Sequence, residues 1–136
     1  LKNFFEVGGA SQLLLNPRLP LREQKWAQAA RLPFEHDYLW ISSSGTTSFN
    51  EIKLIGLSRS ALLAGAKGSN QFLQADRRDR WLNALPIFHV GGLAIWARAF
   101  LSQAQVFEVE KWDLSRALDI IDQHQITLLS LVPTQI

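Results

Sequence analysis

Tyr38-Leu39-Trp40-Ile41-Ser42-Ser43-Ser44-Gly45-Thr46-Thr47-Ser48 sets the architecture. A dense apolar run gives way abruptly to six hydroxyls around one glycine. The apolar run suits a buried strand. The polar segment suits a loop at its end, and Ile52–Leu57 reads as a second strand beyond it. Crowded hydroxyl and backbone N–H donors on a turn suit an anion with several oxygens, such as a triphosphate. Gly45 allows close backbone approach to such a ligand, and Lys53 offers a point charge a few residues on. A polar surface loop accounts for the same composition, so the residues alone leave both open.

Working outward, strands and helices alternate. Leu21–Arg31 reads as a short helix closed by Pro33. Ser58 caps a helix to about Gln74. Trp81–Leu85 is a strand ending at Pro86, and Gly92–Ser102 a helix apolar on most sides. Gln105–Val109 is a strand. Asp113 caps a helix to about His124, with Leu114, Ala117, Leu118 and Ile121 as its buried stripe. Ile126–Val132 closes the series as a strand too apolar for one wet face. The alternation predicts an α/β layered, largely parallel sheet flanked by helices.

Composition narrows the function classes. Apolar residues make up 47% and charged residues 19% of the 136, a globular balance. Net charge is +2 and scattered, so no concentrated basic face marks a nucleic-acid partner. Arg77-Arg78-Asp79-Arg80 is interrupted by its own acid and reads as a solvated loop. Cysteine is absent, which excludes disulfides and thiolate metal sites and suits the cytoplasm. No stretch is long enough for a membrane span, and no signal peptide is visible. His36 and His124 lie far apart and show no metal-ligand spacing. Trp40, Trp81 and Trp96 are expected in the core rather than against a cofactor. The chain begins at Leu1 and has no methionine, so it is expected to be a piece of a longer protein.

The loop is not a Walker A motif, because Gly45 has no second glycine with Lys and Ser/Thr behind it. Gly65-Ala66-Lys67-Gly68, inside an expected helix, is no better match. Instead, Ser43-Ser44-Gly45-Thr46-Thr47 resembles the first half of the [ST]-S-G-[ST]-T-G-x-P-K loop of adenylate-forming enzymes. The second half departs: Ser48 replaces glycine, proline is missing, and Lys53 comes two positions late, as after a two-residue insertion at the loop tip. Lys53-Leu54-Ile55-Gly56-Leu57-Ser58 resembles the family's K-G-V-x-x-S. Leu85-Pro86-Ile87-Phe88-His89-Val90-Gly91-Gly92-Leu93 resembles L-P-[LI]-[FY]-H-x-x-G-L, and Val132-Pro133-Thr134 resembles V-P-T. Three matches in order identify residues 35 to 136 as similar to this superfamily. The run from His89 to Ile95 and the short lead before the loop are most like the o-succinylbenzoate–CoA ligases of menaquinone biosynthesis.

The resemblance implies an ATP-dependent acid–CoA ligase. In that reaction a carboxylate attacks the α-phosphate of ATP, and the thiol of CoA then displaces AMP. It implies that Ser43, Ser44, Gly45, Thr46 and Thr47 cradle the β- and γ-phosphates. Lys53 adds charge, and Mg2+ bridges the phosphates, keeping water and phosphate oxygens as ligands. His89 then lies beside the acyl group and the pantetheine tunnel, with Gly91 and Gly92 keeping the wall thin for an aromatic acid; helix-start geometry also accounts for the glycines. The family's Y-G-x-T-E and T-G-D segments and its C-terminal lysine domain do not follow. Residues 1–136 are therefore expected to be a partial N-terminal domain, inactive alone. A cut sheet edge makes self-association conceivable. The competing expectation is a nucleotide- or anion-binding module without catalysis, favoured by Ser48, Asn50 and Glu51 at the loop tip, since an inward Glu51 repels phosphate.

Overall fold

The computed structural model describes residues 2–6, 8–43 and 52–135. The chain divides into two compact units, Leu1–Leu62 and Leu63–Ile136.

The first unit contains α1 (Lys2–Phe5), β1 (Gln12–Leu14), α2 (Leu21–Ala29), β2 (Tyr38–Ser43) and β3 (Lys53–Ser58). β2 is the middle strand, parallel to β1 and antiparallel to β3. The apolar run predicted as a buried strand is one: Leu39, Trp40 and Ile41 are all buried. β2 and β3 pair antiparallel because the segment between them is too short for a crossover helix. α2 ends at Ala29 rather than Arg31, since Ala30 already has extended backbone. α3 (Arg59–Leu73) begins in this unit and ends in the second. The Ser58 hydroxyl accepts from the Ala61 N–H at 3.2 Å, the cap its sequence position suggested.

The second unit adds β4 (Arg80–Asn83), α4 (Val90–Ser102), β5 (Gln105–Glu108), α5 (Leu114–His124), β6 (Leu128–Ser130) and a 3-10 turn over Pro133–Gln135. Its sheet runs β5-β4-β6, and both pairings are parallel. Alternation along β4 divides the core into two layers. Trp81 packs with Ile95 and Ala99 of α4, together with Ala104, Val106 and Leu128. Leu82 faces the other way, with Ala117, Ile120 and Ile121 of α5 and with Phe107 and Val109. The α/β layered, largely parallel expectation therefore stands, with one antiparallel pair.

Each helix of this unit ends in the same backbone motif. Gln74, Gln103 and Gln125 adopt φ of +54°, +58° and +50°. The next residue donates back to the carbonyl five positions earlier: Ala75 to Asn70, Ala104 to Ala99, Ile126 to Ile121. Asp113 caps α5 as expected, accepting from Arg116 N–H at 2.8 Å.

Several expectations need correction. On α5 Ala117 and Ile121 face the core as expected, but Leu114 and Leu118 are exposed, and Ile120 takes their place in the stripe. The helix is rotated so that Ala117, the small residue, meets the sheet. β6 covers only Leu128–Ser130, and Leu129 is 45% exposed, so the apolar Ile126–Val132 run does have a wet face. Trp40 and Trp81 are core, whereas Trp96 is half-buried and its indole donates to Glu108 at 3.3 Å. The Arg77–Arg80 stretch is only partly solvated. Arg78 pairs with Asp76, but Arg80 belongs to β4 and donates to the His124 carbonyl at 2.7 Å.

Candidate functional site

One candidate region, in the first unit, is the open end of the β2–β3 hairpin. In the ladder Ser43 stands directly opposite Lys53, and Ser42 opposite Leu54. Directly opposed residues share a face, so the last hydroxyl of β2 and the ammonium of β3 flank the mouth of the connecting segment. Ser43 is half-buried and Lys53 exposed. Ser44, Gly45, Thr46 and Thr47, with the proposed insertion, lie outside the described residues.

Two features fix this hairpin. The Trp40 indole lies over its cross-strand partner Gly56, where a Cβ would come within 2.9 Å of the ring. At the closed end Arg59 Nε donates to Asp37 Oδ1 at 2.7 Å, and Arg59 N–H to the Asp37 carbonyl at 2.8 Å. Asp37 takes a left-handed backbone, φ +64°, which aspartate tolerates better than most residues.

Another candidate region, in the second unit, is the corner between β4 and α4. His89 occupies the N-cap of α4, with its ring exposed rather than buried and 4.8 Å from the Phe88 ring. Its N–H donates to the Pro86 carbonyl at 3.1 Å, and its carbonyl accepts from Leu93 N–H. Its side chain makes no cap hydrogen bond. Gly92 is pressed onto the preceding turn: a Cβ there would meet the Leu85 carbonyl oxygen at 2.6 Å and the Pro86 oxygen closer still. Gly91 is less confined, with the Leu85 side chain at 3.0 Å. Gly92 thus serves helix-start geometry. The first turn of α4 carries no acidic residue, so its positive dipole end is left uncompensated.

Sequence reasoning missed two residues here. Arg98 is the single charged residue in α4. Its guanidinium carbon lies 5.6 Å from the Trp81 ring centroid, and its Nε is buried without a partner. It lines an open depression of about 430 Å³ with Gly68, Ser69, Phe72 and Leu73. A lone cation in an otherwise apolar helix was the available signal. The other is Asn83, buried at the end of β4 with an unpartnered Nδ2; nothing in its local sequence marks it.

Of the other histidines, His124 stacks on Phe107 at 4.3 Å, and His36 forms an isolated bridge with Ala10. Among the described residues no cluster of three or more His, Asp or Glu side chains could hold a metal ion. The Asp76 carboxyl is held below its ordinary range, first by the Arg78 side-chain hydrogen bond and then by the Arg78 N–H.

The backbone superposes on O-succinylbenzoate coenzyme A synthetase from Bacillus subtilis in its unliganded form. The TM-score is 0.75 at 20% identity, over 93% of this chain and 36% of that one. The same enzyme in complex with ATP and magnesium ion gives 0.67 at 23% identity, over 93% and 30% of the two chains. These likenesses define the fold as that of acyl-CoA synthetase N-terminal domains. In sequence, 106 residues are 32% identical to 2-succinylbenzoate–CoA ligase of Lactococcus lactis subsp. lactis (strain IL1403), which is 78% of this chain and 23% of that protein. The model of the AMP-binding enzyme family matches residues 11–136. The chain belongs to the AMP-binding enzyme family, and spans about a quarter of the length of this curated relative.

Proposed function

We propose that the chain is the front part of an AMP-forming acid–CoA ligase, acting on o-succinylbenzoate in menaquinone biosynthesis in the cytoplasm. The observation that carries this is the continuous family match over residues 11–136, which takes in both the hairpin and the β4–α4 corner. Relatives named for that substrate support the finer assignment.

At the hairpin, Ser43, Ser44, Thr46 and Thr47 donate hydroxyl or backbone N–H bonds to the β- and γ-phosphates of ATP, and Gly45 lets the backbone come close. Lys53, facing Ser43 across the ladder, balances phosphate charge. Stabilising charge as pyrophosphate departs is the main catalytic tool here. The donor set is hydroxyl and ammonium rather than carboxylate, which suits phosphate oxygens directly. Mg2+ bound with the nucleotide would supply further charge neutralisation.

At the corner, His89 and Gly91 border the acid, and Gly92 keeps α4 tight against the Leu85–Pro86 turn. Adenylation and transfer to CoA need the remainder of the ligase, so the 136 residues alone are inactive.

The test is acid-dependent exchange of pyrophosphate into ATP, followed by thioester formation with CoA, in the longer polypeptide continuing from residue 136. O-succinylbenzoate should outperform other aryl and fatty acids, and the 136-residue chain should show no exchange. ATP binding by the longer protein without exchange for any acid would establish the non-catalytic binding module instead.

A further inference from the structure

We propose that Asn83 is the positioning residue for the β4–α4 corner, and through it for His89; its bearing on the acid rests on the ligase assignment above. Asn83 ends β4, the central strand of its sheet, and is 2% exposed. Burying an amide is costly unless its atoms are bonded. Here one side is used and the other is not. Oδ1 accepts from Leu85 N–H at 3.1 Å, whereas Nδ2 has no partner. What the residue accomplishes therefore runs through the acceptor.

That acceptor bends the chain at the point where β4 stops and holds the Ala84–Leu85 peptide. The carbonyls of Leu85 and Pro86, which follow it directly, organise the start of α4. The Pro86 carbonyl accepts from His89 N–H at 3.1 Å, and the Leu85 and Pro86 oxygens press on Gly92. His89 then accepts from Leu93, which starts the helical ladder. The chain of contacts is Asn83 to Leu85, Pro86 to His89, and His89 to Leu93. His89 makes no side-chain cap hydrogen bond, so its backbone placement follows from this turn. On β4 Asn83 shares a face with Trp81, the face α4 covers, so displacing the turn displaces the helix start.

The experiment compares Asn83→Ala with Asn83→Ser and Asn83→Asp. Serine and aspartate both keep an oxygen able to accept from the N–H two residues on; aspartate is measured at mildly acidic pH, where burial keeps its carboxyl neutral. In amide NMR spectra of the 136-residue chain, Asn83→Ala should move Leu85, His89, Gly92 and Leu93, beyond its ladder neighbours, and leave the resonances of α5 in place. In the full-length ligase it should raise the KM for the acid on the order of tenfold while the KM for ATP stays within about twofold. Serine and aspartate should restore both. If alanine does not fold, Asn83→Val, which suits a strand and lacks an acceptor, takes its place. Unmoved amides at 85–93, shifts spread through the whole unit, or a folded serine variant no better than alanine would each overturn the proposal. A wild-type ligase with no acid-dependent activity would sink the ligase assignment alone, because the amide spectra decide the positioning role by themselves.

Discussion

At the β2–β3 hairpin Gly56 lies under the Trp40 indole, whereas at the β4–α4 corner Gly92 lies against the carbonyl oxygens of Leu85 and Pro86. In the first place the missing Cβ makes room for a side chain, and in the second for backbone. A ring can tilt or slide within its pocket. The Pro86 carbonyl, held by the His89 N–H, and the Leu85 carbonyl beside it are main chain and cannot. The hairpin presents its chemistry from strand ends around a connecting segment, and the corner from a rigid helix start. The proposed phosphate grip and acid pocket therefore differ in how far they tolerate change.

Gly92→Ala should lower stability by about 3 kcal/mol in denaturant unfolding, and Gly56→Ala by only about 1 kcal/mol, as overpacking against fixed backbone and against a movable ring respectively. Equal losses would mean that Trp40 is as immovable as the 85–86 peptide. A smaller effect sharpens the contrast in function. In the full-length ligase Lys53→Ala should raise the KM for ATP on the order of tenfold, as for a lost charge-assisted contact. The KM for the acid should not follow it. Since Lys53 is exposed, Tm should hardly change.

The smallest effect lies away from both places. Asp76 has a lowered carboxyl value in the folded state because of Arg78. Its contribution is therefore present above the ordinary carboxylate value and lost as pH falls through the lowered one. Both partners are exposed, so the pair contributes little. The Tm difference between wild type and Asp76→Asn should be slight at neutral pH and vanish in acid; a large difference at neutral pH would contradict the exposed geometry.

Much of the second unit could be read from residues in order. The β4 and β5 runs, the Asp113 cap and the apolar α4 each announce themselves through local composition. What stayed hidden was set by contacts between distant residues. Leu114 and Leu118 fit a helical stripe as well as Ile120 does, and only packing against Leu82 and Val109 selects the latter. Leu129 reads as buried because no neighbouring residue reveals that its strand face is wet. In the first unit the apolar core of β2 was plain, but its antiparallel partner made one pairing of the sheet run against the expected direction. At the site, hydroxyl and glycine motifs were conspicuous, and Ser43 does face Lys53. Asn83 was invisible because its importance lies in a bond to Leu85 and in burial, neither of which a one-residue signal carries.

The three glutamines that close α3, α4 and α5 suggest a route to a hardier protein. Each occupies a left-handed backbone where glycine would sit without steric cost. That conformation costs a side-chain-bearing residue roughly 1–2 kcal/mol, and glycine gives back about 0.5–1 kcal/mol through its looser unfolded chain. The net gain per exchange is a few tenths of a kcal/mol or somewhat more. Gln125 would gain least, because its Nε2 already donates to the Asp122 carbonyl at 2.8 Å. Gln103 and Gln74 are the better exchanges. Both lie outside the β4–α4 corner, so heat tolerance could be raised there without touching the proposed acid pocket.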